Sequence, residues 1–157
     1  MPATDLYLDT SVVGGYFDDE WQTATRQLWQ QMKAGEFRFL TSTITLDELA
    51  SAPERVQELF RDTFPLDTVL DVSAESERLA SSYIEAHVVT PKYTDDARHV
   101  AVCTTAQIEY LVSWNFRHLV NVEREKGFNR VNLLHGRRTI RIVNPLELIY
   151  GNENQGL

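Results

Sequence analysis

The stretch that decides the fold is Tyr93-Thr-Asp-Asp-Ala-Arg-His-Val-Ala-Val-Cys-Thr-Thr-Ala-Gln-Ile-Glu-Tyr-Leu-Val-Ser-Trp-Asn115. Ala97, Val100, Ala101, Thr104 and Ile108 recur at spacings of three and four, the apolar stripe of a helix packed on something larger. The spacing predicts a helix beginning near Asp96. Asp95 and Asp96 fall in its first turn, where free backbone N–H groups and the positive end of the dipole favour negative charge. Capping needs only one of them. The chain then passes into Tyr110 to Trp114, a short apolar run with β-favouring residues that suits a strand buried on both faces. Asn115 is thereby placed at a strand's carboxyl end, the edge at which open parallel sheets bind ligands.

Outward from this stretch the same alternation repeats. Asp5-Leu6-Tyr7-Leu8-Asp9 reads as a strand ending in a carboxylate, with the hydroxyls of Thr10 and Ser11 at the same edge. Gly14 and Gly15 are expected to loosen the chain before a helix that follows Asp18-Asp19-Glu20 and stops at Gly35, a residue suited to the left-handed turn that ends helices. Phe37 to Thr41 reads as a second strand, with Ser42 or Thr43 to cap a helix that carries Glu48 about one turn in. Pro53 restarts a helical arm to Phe64, and Thr68 to Val72 is a third apolar stretch. Ser73 then caps a further helix. Past Asn115 come a partly helical basic region punctuated by Gly127 and Gly136, a last strand at Thr139 to Val143, and a short helix from Pro145 to Tyr150. Strands alternating with helices imply a parallel α/β sheet with helices on both faces.

The 157 residues, 43% of them hydrophobic, suffice for one domain with a real core and not for two. A single domain is expected over residues 1–150, with a polar tail at 151–157. No run of 18 apolar residues and no signal-like N-terminus occurs, which predicts a cytoplasmic protein that does not enter membranes. Cys103 is the only cysteine and reads as a small core residue. The four histidines follow no catalytic pattern, and His99 and His118 read as structural or surface residues. Net charge is −8, which speaks against a nucleic-acid binder until its distribution is considered. Between Arg117 and Arg141 seven basic residues face two acids, a balance of +5 that leaves −13 for the rest. Such asymmetry suits a basic face for phosphates beside an acidic region for cations.

On the alternating plan Asp9, Asp96 and Asn115 collect at the carboxyl edge of the sheet, within reach of Glu48. Converging acidic and amide oxygens are costly unless a cation neutralises them. Oxygen-only ligands select Mg²⁺ or Mn²⁺ over zinc.

Taken together, Tyr7-Leu8-Asp9-Thr10-Ser11, Thr45-Leu46-Asp47-Glu48-Leu49, Asp96-Ala97-Arg98-His99-Val100-Ala101 and Leu111-Val112-Ser113-Trp114-Asn115 resemble, in order, the four acidic motifs of the PIN-domain ribonucleases, especially the VapC-like toxins of bacterial toxin–antitoxin pairs. The resemblance implies a three-layer α/β/α fold and a metal-dependent endoribonuclease that hydrolyses single-stranded RNA. It implies catalytic roles for Asp9, Glu48, Asp96 and Asn115, with Mg²⁺ or Mn²⁺ held by Asp9, Asp96 and Glu48. Thr10 and Ser113 would orient the carboxylates. Asp95 is an extra acid, and either member of the Asp95–Asp96 pair could bind the ion, Asp96 being favoured by its place before Ala97. Many members carry aspartate where this chain has Asn115. An antitoxin partner and a homodimer are further implications, and Arg117, Arg137 and Arg138 are the candidate RNA contacts in the basic segment. The rival class is a PIN-like module without activity that binds RNA or protein. A haloacid-dehalogenase phosphatase would need an acid where Ser11 stands.

Overall fold

The computed structural model of the chain describes residues 2–149. The expected tail at 151–157, and Tyr150 at the end of the last expected helix, lie outside the described residues. The strands are β1 (Thr4–Leu8), β2 (Phe37–Ser42), β3 (Val69–Leu70), β4 (Tyr110–Val112) and β5 (Arg141–Val143). The helices are α1 (Thr10–Gly15), α2 (Gln22–Lys33), α3 (Thr43–Glu48), α4 (Glu54–Thr63), α5 (Ala74–Glu85), α6 (Thr94–Thr105), α7 (Val122–Leu134) and a short α8 at 145–149. The strands form one sheet in the order β3-β2-β1-β4-β5, parallel throughout. This is the α/β sheet with helices on both faces that the alternation predicts. Winding proceeds from β1 outward through β2 and β3, then resumes on the other side with β4 and β5. The reversal leaves a crevice between the carboxyl ends of β1 and β4, the place where such sheets bind ligands.

Period-two alternation in β1 divides the interior in two. Tyr7 joins Ala97, Val100, Ala101 and Phe128 under α5, α6 and α7. Leu6 and Leu8 join Val12, Leu28, Trp29 and Phe60 under α1, α2 and α4. All three β1 residues are fully buried, each apolar side chain contributing about 1.5–3 kcal/mol. Local signals agree with the ends of several helices. Ser42 caps α3, Ser73 and Ser76 form a reciprocal capping box on α5, and Gly35 adopts φ 87° just past α2.

Two expectations fail in an informative way. Gly14 and Gly15 do not loosen the chain but lie inside α1. A Cβ on Gly15 would stand 2.7 Å from Trp114 Nε1, so this glycine serves close packing. Gly127 likewise lies inside α7, where a Cβ would come 2.9 Å from Val88 Cγ1. The strands are also shorter than expected, since β3 keeps two residues of the stretch at 68–72 and β5 three of that at 139–143. Among the described residues no helix is long and apolar enough to cross a membrane.

Candidate active site at the β1–β4 crevice

Asp9 immediately follows β1 and caps α1, with φ −81° and ψ 177° and its side chain accepting from the Val12 amide. Capping explains its position but not its surroundings. The residue is 4% exposed, its Oδ1 accepts from Ser11 Oγ at 2.6 Å, and its Oδ2 accepts from Ser113 Oγ at 2.6 Å. Both serines are themselves held: Trp114 N donates to Ser11 Oγ at 2.9 Å, and Asn115 N to Ser113 Oγ at 2.9 Å. Neutral donors therefore bind the carboxylate on both oxygens. Burial still pushes its pKa above the usual aspartate value, against the pull of His99 and the two serines.

Asp96 reaches the same crevice from the first turn of α6. Its carboxyl is pushed up to about 6, first by burial and then by repulsion from Asp9, with Glu48 and Asp95 adding to it. Neither Asp95 nor Asp96 caps α6, whose cap position is Tyr93 with no side-chain bond. Asp95 instead lies exposed and pairs with Arg98 at 3.0 Å, while Arg98 also holds Glu77 at 2.7 Å. Of the two adjacent acids, Asp96 is thus the one turned to the crevice. Asn115 Nδ2 donates to Asp96 Oδ2 at 3.4 Å, and Asn115 Oδ1 accepts from the amides of Arg117 and His118. Its amide oxygen is engaged by the backbone of the following turn.

Glu48, at the last turn of α3, is partly exposed and held through one oxygen. Thr10 Oγ1 donates to its Oε1 at 2.7 Å, and His99 Nε2 lies 2.8 Å from the same atom. Thr10 therefore orients Glu48, whereas Ser113 orients Asp9. Partial burial works to raise the Glu48 pKa, but hydrogen bonding and charge from His99, with Thr10, outweigh it and leave the group below the usual glutamate range. An ionised carboxylate only accepts, so His99 Nε2 carries the proton toward it. Behind it, His99 Nδ1 meets the Tyr7 hydroxyl at 2.7 Å, and Tyr7 meets Ser42 Oγ at 2.7 Å.

His99, 2% exposed, and Tyr7 are the residues that sequence reasoning passed over. One signal was available. His99 lies three residues after Asp96 on a helix, which puts both on one face.

The donor set of Asp9, Asp96 and Glu48 is all oxygen and fits Mg²⁺ or Mn²⁺ in chemistry. Burial raises the pKa of both Asp9 and Asp96, and the Asp9 charge raises that of Asp96 further, which is what a cation would relieve. Among the described residues no three His, Cys, Asp or Glu side chains already stand together as a group that could hold a metal ion. The carboxylates line the crevice without closing into a cage.

The basic segment divides between the two ends of the sheet. Arg117 follows Asn115 by two residues and stays at the carboxyl edge. The ladder of α7 against β5, with Glu125 Oε2 accepting from Ile142 N and Asn129 bonded to Ile140, shows that α7 runs back toward the amino edge. Arg137 and Arg138 follow α7 and precede β5, so they lie at the opposite edge from Asp9. Of the three candidate RNA contacts, only Arg117 therefore shares the edge of the acids. Arg137 is in contact with Glu75, and Arg138 lies in a cleft with Glu109 and Gln107.

No family model matches the sequence, and no curated protein matches it either. Solved structures do share the fold. A chain of a toxin–antitoxin complex from Klebsiella pneumoniae superposes with a TM-score of 0.56 at 16% identity, covering 76% of this chain and 93% of that one. A chain of FitAcB from Neisseria gonorrhoeae gives 0.57 at 11% identity, over 90% and 98%. A chain of VapBC2 from Rickettsia felis, solved with a DNA fragment from their promoter, gives 0.53 at 14% identity, over 90% and 98%. The five-stranded parallel sheet, its winding and these neighbours establish that the chain has a PIN-like α/β/α fold.

Proposed function

We propose that the protein is a Mg²⁺- or Mn²⁺-dependent endoribonuclease that hydrolyses phosphodiester bonds in single-stranded RNA, acting as the toxin of a toxin–antitoxin pair. The observation that carries this reading is the buried carboxylate of Asp9, bonded on both oxygens by Ser11 and Ser113, at the switch point of the sheet that Asp96 also faces. Asp9 and Asp96 hold the ion, with Glu48 as the third oxygen donor. The chemistry supplied by a bound ion is Lewis acidity toward the phosphate and activation of water. The chain's own part is orientation. Ser11 and Ser113 fix Asp9, Thr10 and His99 fix Glu48, and Asn115 steadies Asp96. The fold shared with chains of toxin–antitoxin complexes supports an antitoxin partner, and a homodimer belongs to the same reading.

A labelled single-stranded RNA incubated with Mn²⁺ tests the proposal. Cleavage should appear with the wild type, vanish with EDTA, and fall at least 100-fold in Asp9→Asn and Asp96→Asn. Cleavage that survives in both variants would place the chemistry elsewhere. The observation favouring an inactive binding module is that the Asn115 oxygen is already engaged by backbone amides. That reading predicts no cleavage with either ion.

A further inference from the structure

We infer that the cleft between α7 and the turn after α5 is a phosphate-binding groove in which Arg117, Arg124 and Arg130 hold the backbone of single-stranded RNA. This rests on the ribonuclease reading above and assigns the surface that would deliver the strand to the acids. The cleft measures about 450 Å³, and the three guanidiniums line it against a single acid, Glu123. In a chain of net charge −8 that is a local reversal of sign, which attracts a polyanion to this face and disfavours the others.

Four arginines outside the cleft, Arg38, Arg61, Arg98 and Arg137, are engaged by acids. Among the described residues Arg117, Arg124 and Arg130 pair with none. Arg117 and Arg130 are exposed, whereas Arg124 is half-buried and anchored. Its Nη1 donates to the Val88 carbonyl, which is presented by a sharp turn: His87 has φ 60°, and Val88 N returns to Tyr83 O at 3.0 Å. Such a left-handed residue after a helix is normally glycine or asparagine. The rest of the Arg124 fork remains in the cleft, with the planar geometry that suits phosphate oxygens.

Position selects RNA over an acidic polypeptide as the occupant. Arg117 stands two residues after Asn115, so the groove opens at the carboxyl edge and runs down α7. A backbone lying on Arg117 is led to the crevice that carries Asp9 and Asp96.

The test measures binding of a fluorescein-labelled single-stranded RNA to the full chain in EDTA, across a salt series, for the wild type, the double variant Arg117→Ala/Arg130→Ala, and the control Arg137→Ala/Arg138→Ala. Neither Arg117 nor Arg130 anchors the fold, so the first variant should melt as the wild type does. Each lost phosphate contact should flatten the log–log salt slope by roughly 0.7. The Arg117/Arg130 variant is expected to bind about 10-fold or more weakly at low salt with a slope reduced by more than one, and the control to match the wild type. An unchanged slope in the Arg117/Arg130 variant overturns the proposal, as does loss of polyglutamate binding in that variant with RNA binding intact. Binding through the groove without Mn²⁺-dependent cleavage supports the groove and defeats the ribonuclease reading. Cleavage with an unchanged slope does the reverse.

Discussion

Asp96 carries two separable consequences of one environment. Its folded pKa of about 6 lies above the ordinary 3.8, so between those values the folded chain holds more protons than the unfolded one. The contribution of this group to stability is greatest below pH 4 and declines as pH rises to 6, then stays flat. Asp96→Asn removes it. In ion-free buffer at pH 7 the variant should be more stable than the wild type by on the order of 1 kcal/mol, less than the full shift implies because the group is partly solvated. That corresponds to a melting temperature about 2–4 °C higher, and thermal melts at pH 4 should bring the two together. A variant that is less stable at pH 7 would contradict the repulsion between Asp96 and Asp9. His99 makes the opposite case, since removal leaves a buried hydroxyl and a carboxylate each short of one partner. His99→Ala should cost about 2–3 kcal/mol in denaturant unfolding, and a cost below about 0.5 kcal/mol would mean that the contacts to Tyr7 and Glu48 carry little. Asp9 was legible because a carboxylate ending an apolar strand is unusual on either face. His99 was not, because a lone histidine on an apolar helix reads the same whether it fills space or holds a carboxylate.

At the scale of elements, caps and periodicity read well where one local signal dominates. Ser42, Ser73 and Gly35 each act where the chain places them. Glycine read badly inside helices, because its usual local meaning was overridden by contacts distant in sequence. Gly15 must admit the Trp114 indole, which also donates to Thr25 Oγ1 at 3.0 Å and stacks on Trp21 at 4.2 Å. Gly14, one residue earlier in the same helix, has open space around a would-be Cβ. The pair makes an internal control. Gly15→Ala should destabilise the protein by about 1–3 kcal/mol and alter tryptophan fluorescence, whereas Gly14→Ala should stabilise it by about 0.5–1 kcal/mol through helix propensity and a less free unfolded chain. Equal effects from chemical denaturation of the two variants would show that the close approach to Trp114 does not restrict Gly15.

Over the whole molecule, parallel winding brings together groups that are far apart in the chain. The bond between Ser113 and Asp9 spans 104 residues and that between His99 and Glu48 spans 51. The order of strands and helices made the convergence of Asp9, Asp96 and Asn115 readable, since every strand end in a parallel sheet lies on one edge. Charge along the chain was a poorer guide, because α7 carries its basic residues from one edge to the other and separates Arg117 from Arg137 and Arg138. What unites the crevice is the burial of Asp9 together with Asp96, whose carboxyl is raised by burial and by the Asp9 charge, a cost that a divalent cation would relieve. The direct measurement is calorimetric titration of Mn²⁺ into the wild type and Asp9→Asn at pH 7. Saturable binding by the wild type is expected, with proton release as the Asp96 carboxyl gives up its residual proton, and at least a 10-fold loss of affinity in Asp9→Asn. Equal Mn²⁺ affinity in the two proteins, or none in either, would contradict that relief.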